Sequence, residues 1–209
     1  MTDEIAAIVP VKGLATAKSR LAPRLSPDER ASLSLRLFDR VLVAITSTAG
    51  IDRVVVVTSD ESVRDRARLG GAEVVDEPPA SDSVDARTEH QQHNAALEHA
   101  RTETIARWNP AALLVVAADL PFLSSSDLTG LIERGTTDDT VVLGVDRAGT
   151  GTNALLLRPA NAVPFRFGPN SFAAHRTEAS KRGLRFLVHD VPGIATDVDV
   201  PRDLEVLAR

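Results

Sequence analysis

Three aspartates and one short basic segment are the residues whose types and spacing suit chemistry on a charged substrate. The apolar run Leu113 to Ala118 leads directly into Asp119-Leu120-Pro121, and near the other end lies Thr196-Asp197-Val198-Asp199-Val200-Pro201-Arg202-Asp203-Leu204. In extended backbone, residues two apart share a side, so Asp197 and Asp199 face together while Val198 faces the core. Two like charges side by side are tolerable when solvated, or when a cation sits between them. Hard carboxylate oxygens in a chain without cysteine favour magnesium over zinc. Each acid also has a plainer reading. Asp119 can form a turn or cap a helix, although Ser124 to Ser126 offer caps nearby, and Asp199 can cap a helix that starts at Pro201.

The basic segment follows the first apolar run. Val9-Pro10-Val11-Lys12 gives way to a loop carrying Gly13, Lys18, Ser19 and Arg20. Only three of the 24 basic residues are lysines, and Lys12 and Lys18 are two of them. Two ammoniums and a guanidinium around one loop could grip a triphosphate, or could simply form a solvated turn. No GxxxxGK[ST] string is present, which excludes a P-loop. A basic loop facing an acidic magnesium cradle describes a nucleotidyl-transfer site. Two further loops, Asp146 to Asn153 and Phe165 to Ser171, offer small hydrogen-bonding residues, and the second opens a helix whose first amides favour an anion. A hairpin turn and a serine cap are the plainer readings of that pair.

Other chemistries lack support. His90, His93 and His99 lie in a polar helical stretch without a clear third zinc partner, and no GxSxG elbow anchors a hydrolase.

The elements that must position these groups alternate. Strands are expected at Ile5 to Val11, Arg53 to Thr58, Glu73 to Val75, Leu113 to Ala118, Thr140 to Val145, Ala154 to Leu157 and Leu184 to Val188. Ser26-Pro27-Asp28-Glu29 is a capping box that opens a helix with Leu33, Leu37 and Val41 on one face. Further helices are expected after Ser59 up to Gly70-Gly71, from about Thr88 to Trp108, from Ser124 to Ser126 onward, from about Ser171 to Lys181, and from Pro201. Trp108, ahead of Asn109-Pro110, reads as packing at a helix end. Such alternation predicts an α/β sheet covered on both faces, with its ligand crevice beyond the carboxyl ends of the strands.

Length and composition set the outer bounds. With 209 residues, 43% of them hydrophobic, the chain reads as one domain over 1–209, with a core that needs no staples. The absence of cysteine removes disulfides, thiolate metal sites and a cysteine nucleophile, and fits a reducing cytoplasm. A net charge of −5 and 3% aromatics argue against a nucleic-acid surface. Acids near the start and the lack of any apolar run near the ~18 residues of a span argue against a signal peptide and a membrane helix.

Together the strings resemble the guanylyltransferases of coenzyme F420 biosynthesis. The likeness covers nearly the whole chain and rests on IVPVKGLATAKSRL (8–21), VVVVTSD (54–60), NAAL (94–97), DLP (119–121), DRAGTGTNALLLRP (146–159), FRFGPNSFAAH (165–175) and DVDVPRDL (197–204). The sequence departs from the family at Gln92-His93, where Gly-Leu is usual, and in a longer, more polar Pro78 to Arg87 loop. The resemblance implies a single-domain three-layer sandwich with a mixed, mainly parallel sheet, like the nucleotide-diphospho-sugar transferases and Rossmann-like. It implies transfer of GMP from GTP to a small phosphorylated acid, with phosphoenolpyruvate the first choice, then 2-phospho-L-lactate or 3-phospho-D-glycerate. Asp119, Asp197 and Asp199 match the catalytic, magnesium-binding carboxylates. Thr152, Gly168 and Ser171 match the acid-holding positions, and Pro10, Lys12, Lys18, Arg20 and Asn94 the nucleotide side. The implied product passes to a deazaflavin-modifying transferase in the cytoplasm, with no nucleic-acid or membrane partner, and a homodimer is allowed. Rival readings are a molybdenum-cofactor or sugar-phosphate nucleotidyltransferase, which would usually carry a glycine-rich first loop in place of Val11-Lys12-Gly13-Leu14, and a non-catalytic GTP-binding regulator.

Overall fold

The computed structural model describes residues 3–78 and 89–207. The valine- and leucine-rich runs become β1 (Ile5–Pro10), β2 (Arg53–Val57), β3 (Glu73–Val75), β4 (Ala112–Val116), β5 (Thr140–Val145), β6 (Thr152–Arg158) and β7 (Arg185–His189). They join in one seven-stranded sheet in the order β3-β2-β1-β4-β6-β5-β7. β1 lies parallel to β2, with Ile8 opposite Val55, and parallel to β4, with Ala7 opposite Leu114. β7 is parallel to β5, whereas β6 runs antiparallel to both of its neighbours. That reversal brings the start of β6 to the edge where β1, β2, β4 and β5 end: Thr152 pairs with Val145, and Ala154 with Val116.

Alternation along the strands sorts their side chains into two apolar layers. Ile5, Ala7 and Val9 pack with α1 (Pro27–Thr46), α2 (Glu61–Leu69), α4 (Ser125–Arg134) and α6 (Pro192–Ala195). Ala6 and Ile8 face the other way, onto α3 (Glu89–Trp108) and α5 (Ser171–Lys181). With helices on both faces, the central strands are apolar at nearly every position, which is why runs such as those of β1 and β4 lack polar alternation. A third cluster of Leu21, Leu33, Leu37 and Val198 joins the loop after β1 to the C-terminal segment, where α7 (Leu204–Leu207) adds Leu204. Burying side chains of this size contributes roughly 1.5–3 kcal/mol each, so Leu21 and Val198 act as anchors for the polar residues beside them.

Helix starts follow local chemistry. Ser26 accepts from the Glu29 amide at 3.3 Å while its own amide donates to the Glu29 carboxylate at 2.8 Å, which closes the expected capping box. Ser124 and Asp127 make a second one ahead of α4. α2 is capped by Asp60, whose carboxylate accepts from the amides of Ser62 and Val63. Strand ends also moved. β4 stops at Val116, three residues short of Asp119, and β6 extends outward to Thr152 and Arg158, whose polar side chains are buried with partners. α6, Pro192–Ala195, is too short to show periodicity. Trp108 ends α3 against the second apolar layer, as read. Thr88 and, apart from Pro78, the polar loop up to Arg87 lie outside the described residues.

Candidate active site

The basic loop leaves β1 and turns on Lys18, whose backbone is left-handed with φ 52° as it enters a short 3-10 turn, Ser19–Leu21. The buried Leu21 fastens this turn to α1. The turn points the Lys18 side chain inward, where it contacts Asp119 and reaches Asp199 at 3.0 Å. Arg20 stands at 4.0 Å from Asp199 on the solvent side. Burial works against the Lys18 ammonium, yet the charges of Asp119 and Asp199 outweigh it and hold its pKa above the usual lysine value.

Each acid is held by apolar or capping neighbours. Asp119 precedes Leu120, which is fully buried, and the turn beyond is tied down by Arg40, which donates to the Pro121 carbonyl at 2.7 Å. Asp197 and Asp199 flank the buried Val198, as the spacing predicted. Asp199 does not cap the last helix. Asp203 does that work, accepting from the amides of Asp199 and Val200 at 2.9 and 2.8 Å, and so fixes the backbone on which Asp199 sits. Sequence reading passed over Asp203, although an acid two residues beyond a helix-starting proline is a capping signal. Burial, then the charges of Asp119 and Asp199, push Asp197 up to about 6.

A cleft of about 360 Å³ opens at this edge of the sheet, bounded by Pro10, Lys12, Lys18, Arg20, Asp119, Thr152 and Asp199. A larger concavity of about 650 Å³, between α1 and α7, has a mostly apolar wall of Leu25, Leu33, Leu204 and Leu207 and lies away from the strand ends. The strand-end cleft lies where open α/β sheets receive their ligands. Lys12 pairs with Glu89 of α3 at 2.5 Å, which lowers the Glu89 pKa. His90 and His93, at the start of α3, and Phe167 complete the far wall. Burial drives His93 down to about 4, so it is neutral at pH 7.

The remaining predicted residues stand just behind that wall. The Asn94 amide is spent on backbone: Nδ2 donates to the Phe167 and His90 carbonyls, and Oδ1 accepts from the Phe167 amide, all at 2.8 Å. It therefore mimics a paired strand and clamps the loop before α5. Gly168, with φ 126°, lies so close to His90 that a Cβ would stand 2.9 Å from the imidazole. Ser171 is the first residue of α5 and buried, its amide bonded to Gly168 O at 3.1 Å. The next amide, Phe172, donates to Thr150 O at 3.0 Å, and Asp146 accepts from Thr150 and Gly151 at 2.9 and 2.8 Å. The first amides of α5, which the sequence offered to an anion, and two amides of the loop before β6 are thus engaged internally. The structure also brings in His175 of α5, which contacts Thr152 and the Arg166 amide.

The three acids are close enough to interact. Asp119 and Asp199 converge on one positive charge, and after burial their own charges help to raise the Asp197 pKa, which places all three acids near one another. Among the described residues no three acids or histidines are already spread as a ready ligand shell, since two of the carboxylates are turned onto Lys18. Opposite charges across one cleft can hold an anionic nucleotide on one wall and its cation on the other.

Comparison with known proteins shows the family. A phosphoenolpyruvate guanylyltransferase of Rubrobacter xylanophilus is 42% identical over 198 residues, covering 95% of this chain and 90% of that protein. One from Sphaerobacter thermophilus is 40% identical, covering 97% and 91%. A 2-phospho-L-lactate guanylyltransferase of Methanothermobacter thermautotrophicus is 33% identical, covering 95% and 81%. Among solved structures, a nucleotidyl transferase from the same archaeon superposes with TM-score 0.68 at 19% identity, covering 97% of this chain and 95% of that one. The fold is that of the nucleotide-diphospho-sugar transferases and cytidylyltransferases. The profile described as "Guanylyl transferase CofC like" matches residues 5–208, and the chain belongs to that family, whose members are enzymes of the nucleotidyltransferase class.

Proposed function

We propose that this enzyme transfers GMP from GTP to phosphoenolpyruvate, in coenzyme F420 biosynthesis, with 2-phospho-L-lactate and 3-phospho-D-glycerate as the next acceptors. The observation that carries the reading is the buried Lys18 between Asp119 and Asp199, beside Lys12 and Arg20, at the carboxyl edge of the sheet. Phosphoenolpyruvate leads because relatives 40–42% identical to this chain bear its name.

A phosphate oxygen of the acid attacks the α-phosphorus of GTP, one new P–O bond forms, the α–β bridge breaks and pyrophosphate leaves. The nucleophile is already an anion at pH 7, because a phosphate monoester loses its second proton near pH 6, so no general base is required. Lys12, Lys18 and Arg20 would offset the triphosphate and the charge building on pyrophosphate, with Pro10 shaping the floor. Thr152, Gly168 and Ser171 would receive the acid. Asn94 would act by holding the loop that carries Gly168. Asp119, Asp197 and Asp199 would hold the divalent ion, for which magnesium suits hard oxygen donors, and it would supply charge to phosphate oxygens of both substrates. The rate would come from positioning and electrostatics. No helix among the described residues is long and apolar enough to cross a membrane, and we place the enzyme in the cytoplasm, with its product handed to a deazaflavin-modifying transferase.

The test is pyrophosphate release from GTP and magnesium with each acid in turn, and with ATP in place of GTP. Release with GTP and phosphoenolpyruvate is expected. Tight GTP binding without release with any acid would return the chain to a binding-only role.

A further inference from the structure

His175 is fully buried on α5, and the phosphoryl transfer above makes no use of it. Its ring is held edge-on by Phe167, with centroids 5.0 Å apart, and both nitrogens have partners. Nε2 lies 3.0 Å from the backbone nitrogen of Arg166, and Nδ1 lies 3.2 Å from Thr152 Oγ1. A peptide N–H can only donate, so Nε2 must be the lone-pair nitrogen. The neutral ring then carries its proton on Nδ1, so the Thr152 hydroxyl cannot donate to that nitrogen and faces it with a lone pair. Burial keeps the ring neutral, with a pKa of about 4, even though the Ser171 backbone carbonyl, one turn earlier, favours a proton on the ring.

A hydroxyl has one proton to give. With its lone pair facing His175, Thr152 directs that proton away from the ring, and Thr152 lines the cleft. We infer that His175 is a positioning residue that sets the Thr152 hydroxyl as a hydrogen-bond donor toward an anionic oxygen of the phosphorylated acid. This rests on the assignment of Thr152 to the acid subsite. The device matters because the neighbouring amides of Arg166, Phe167, Ser171 and Phe172 are already engaged within the protein. A fixed side-chain donor takes over what free backbone amides would otherwise supply. It also links the acid subsite to the loop before α5, since one imidazole grips the Arg166 amide and the Thr152 hydroxyl together.

Two measurements test it. The first is ring-nitrogen NMR on the unliganded protein, labelled at histidine, at pH 7.5. Protonation of His175 on Nδ1 is expected, and protonation on Nε2 would overturn the inference directly, with no variant needed. The second is a kinetic cycle of Thr152→Val, His175→Leu and the double variant, with His175→Asn as the version that keeps an N–H near the Nδ1 position. Loss of one such hydrogen bond corresponds to about tenfold in KM for the acid, with KM for GTP unchanged. The double variant is expected to be no worse than Thr152→Val alone, and His175→Asn to recover part of the loss. Additive losses, or an equal rise in KM for GTP, would overturn the role of His175 while leaving Thr152 in the subsite. A silent Thr152→Val would remove Thr152 from the acid subsite, and the inference with it.

Discussion

Replacing Lys18 with methionine keeps most of the buried stem and deletes only the charge, so Lys18→Met isolates what the ammonium does between Asp119 and Asp199. The lysine side chain is 9% exposed, its partners 25% and 46%, so one side of each pair is dry and the other partly wet. Removing one member of a fully buried pair typically costs about 3–5 kcal/mol. Solvent around the two carboxylates discounts that, and about 2 kcal/mol is a fair expectation. In a domain of this size that lowers Tm by roughly 4–8 °C. The deficit should shrink in millimolar magnesium or manganese, because a divalent ion offsets the repulsion that the missing ammonium leaves behind, and manganese should bind the variant more tightly than the parent when no nucleotide is present. Thermal unfolding with and without the metal, with manganese binding followed by electron paramagnetic resonance, reads both effects. A variant as stable as the parent in metal-free buffer, or one no more responsive to the metal, would refute the reasoning.

Three other perturbations follow from the same geometry. Asp119→Asn should cut turnover by about a hundredfold or more, as losing one preorganised charge-stabilising group does, with the circular dichroism spectrum unchanged. Asn94→Ala removes both clamps on Phe167 and should raise KM for the acid by about tenfold while KM for GTP holds, which steady-state kinetics with each substrate varied in turn will show. His175, at about 4 when folded against an ordinary 6.5, has a depressed pKa. Its contribution is therefore present above pH 6.5 and is lost as pH falls toward 4, where the unfolded chain binds the proton that the folded chain refuses. Urea unfolding of the parent and His175→Leu at pH 7.5 and 4.5 should show the parent losing up to about 3 kcal/mol more than the variant.

What the sequence made legible, and what it hid, divides along physical lines. Runs such as Leu113 to Val116 and Thr140 to Val145 announced strands because the central strands of a sheet covered on both faces are apolar at nearly every position. Ser26 and Glu29 announced a helix start because their hydrogen bonds are local. Asp197, Val198 and Asp199 could be oriented from spacing alone. The burial of Thr152 and Arg158 could not be read, because it depends on distant partners: His175 for the threonine, Asp3 and the Gly135 carbonyl for the arginine. The same holds for Asn94. Its string marked it as important, but its partner, Phe167, lies far along the chain and meets it only because α3 and the loop before α5 share one face of the sheet. The loop from Asp146 to Asn153 read as a source of hydrogen-bonding groups, but the sequence does not show Asp146 folding back over the amides of residues 150 and 151.

The central claim is that the acid's own phosphate attacks the α-phosphorus of GTP. It is tested most directly with phosphoenolpyruvate whose phosphate carries heavy oxygen, incubated with enzyme, GTP and magnesium and followed by phosphorus NMR and mass spectrometry. The account predicts a guanylylated acid with the heavy label in its new bridging oxygen, and pyrophosphate with no label. Unlabelled GMP with the acid left untouched, or label appearing in pyrophosphate, would contradict it.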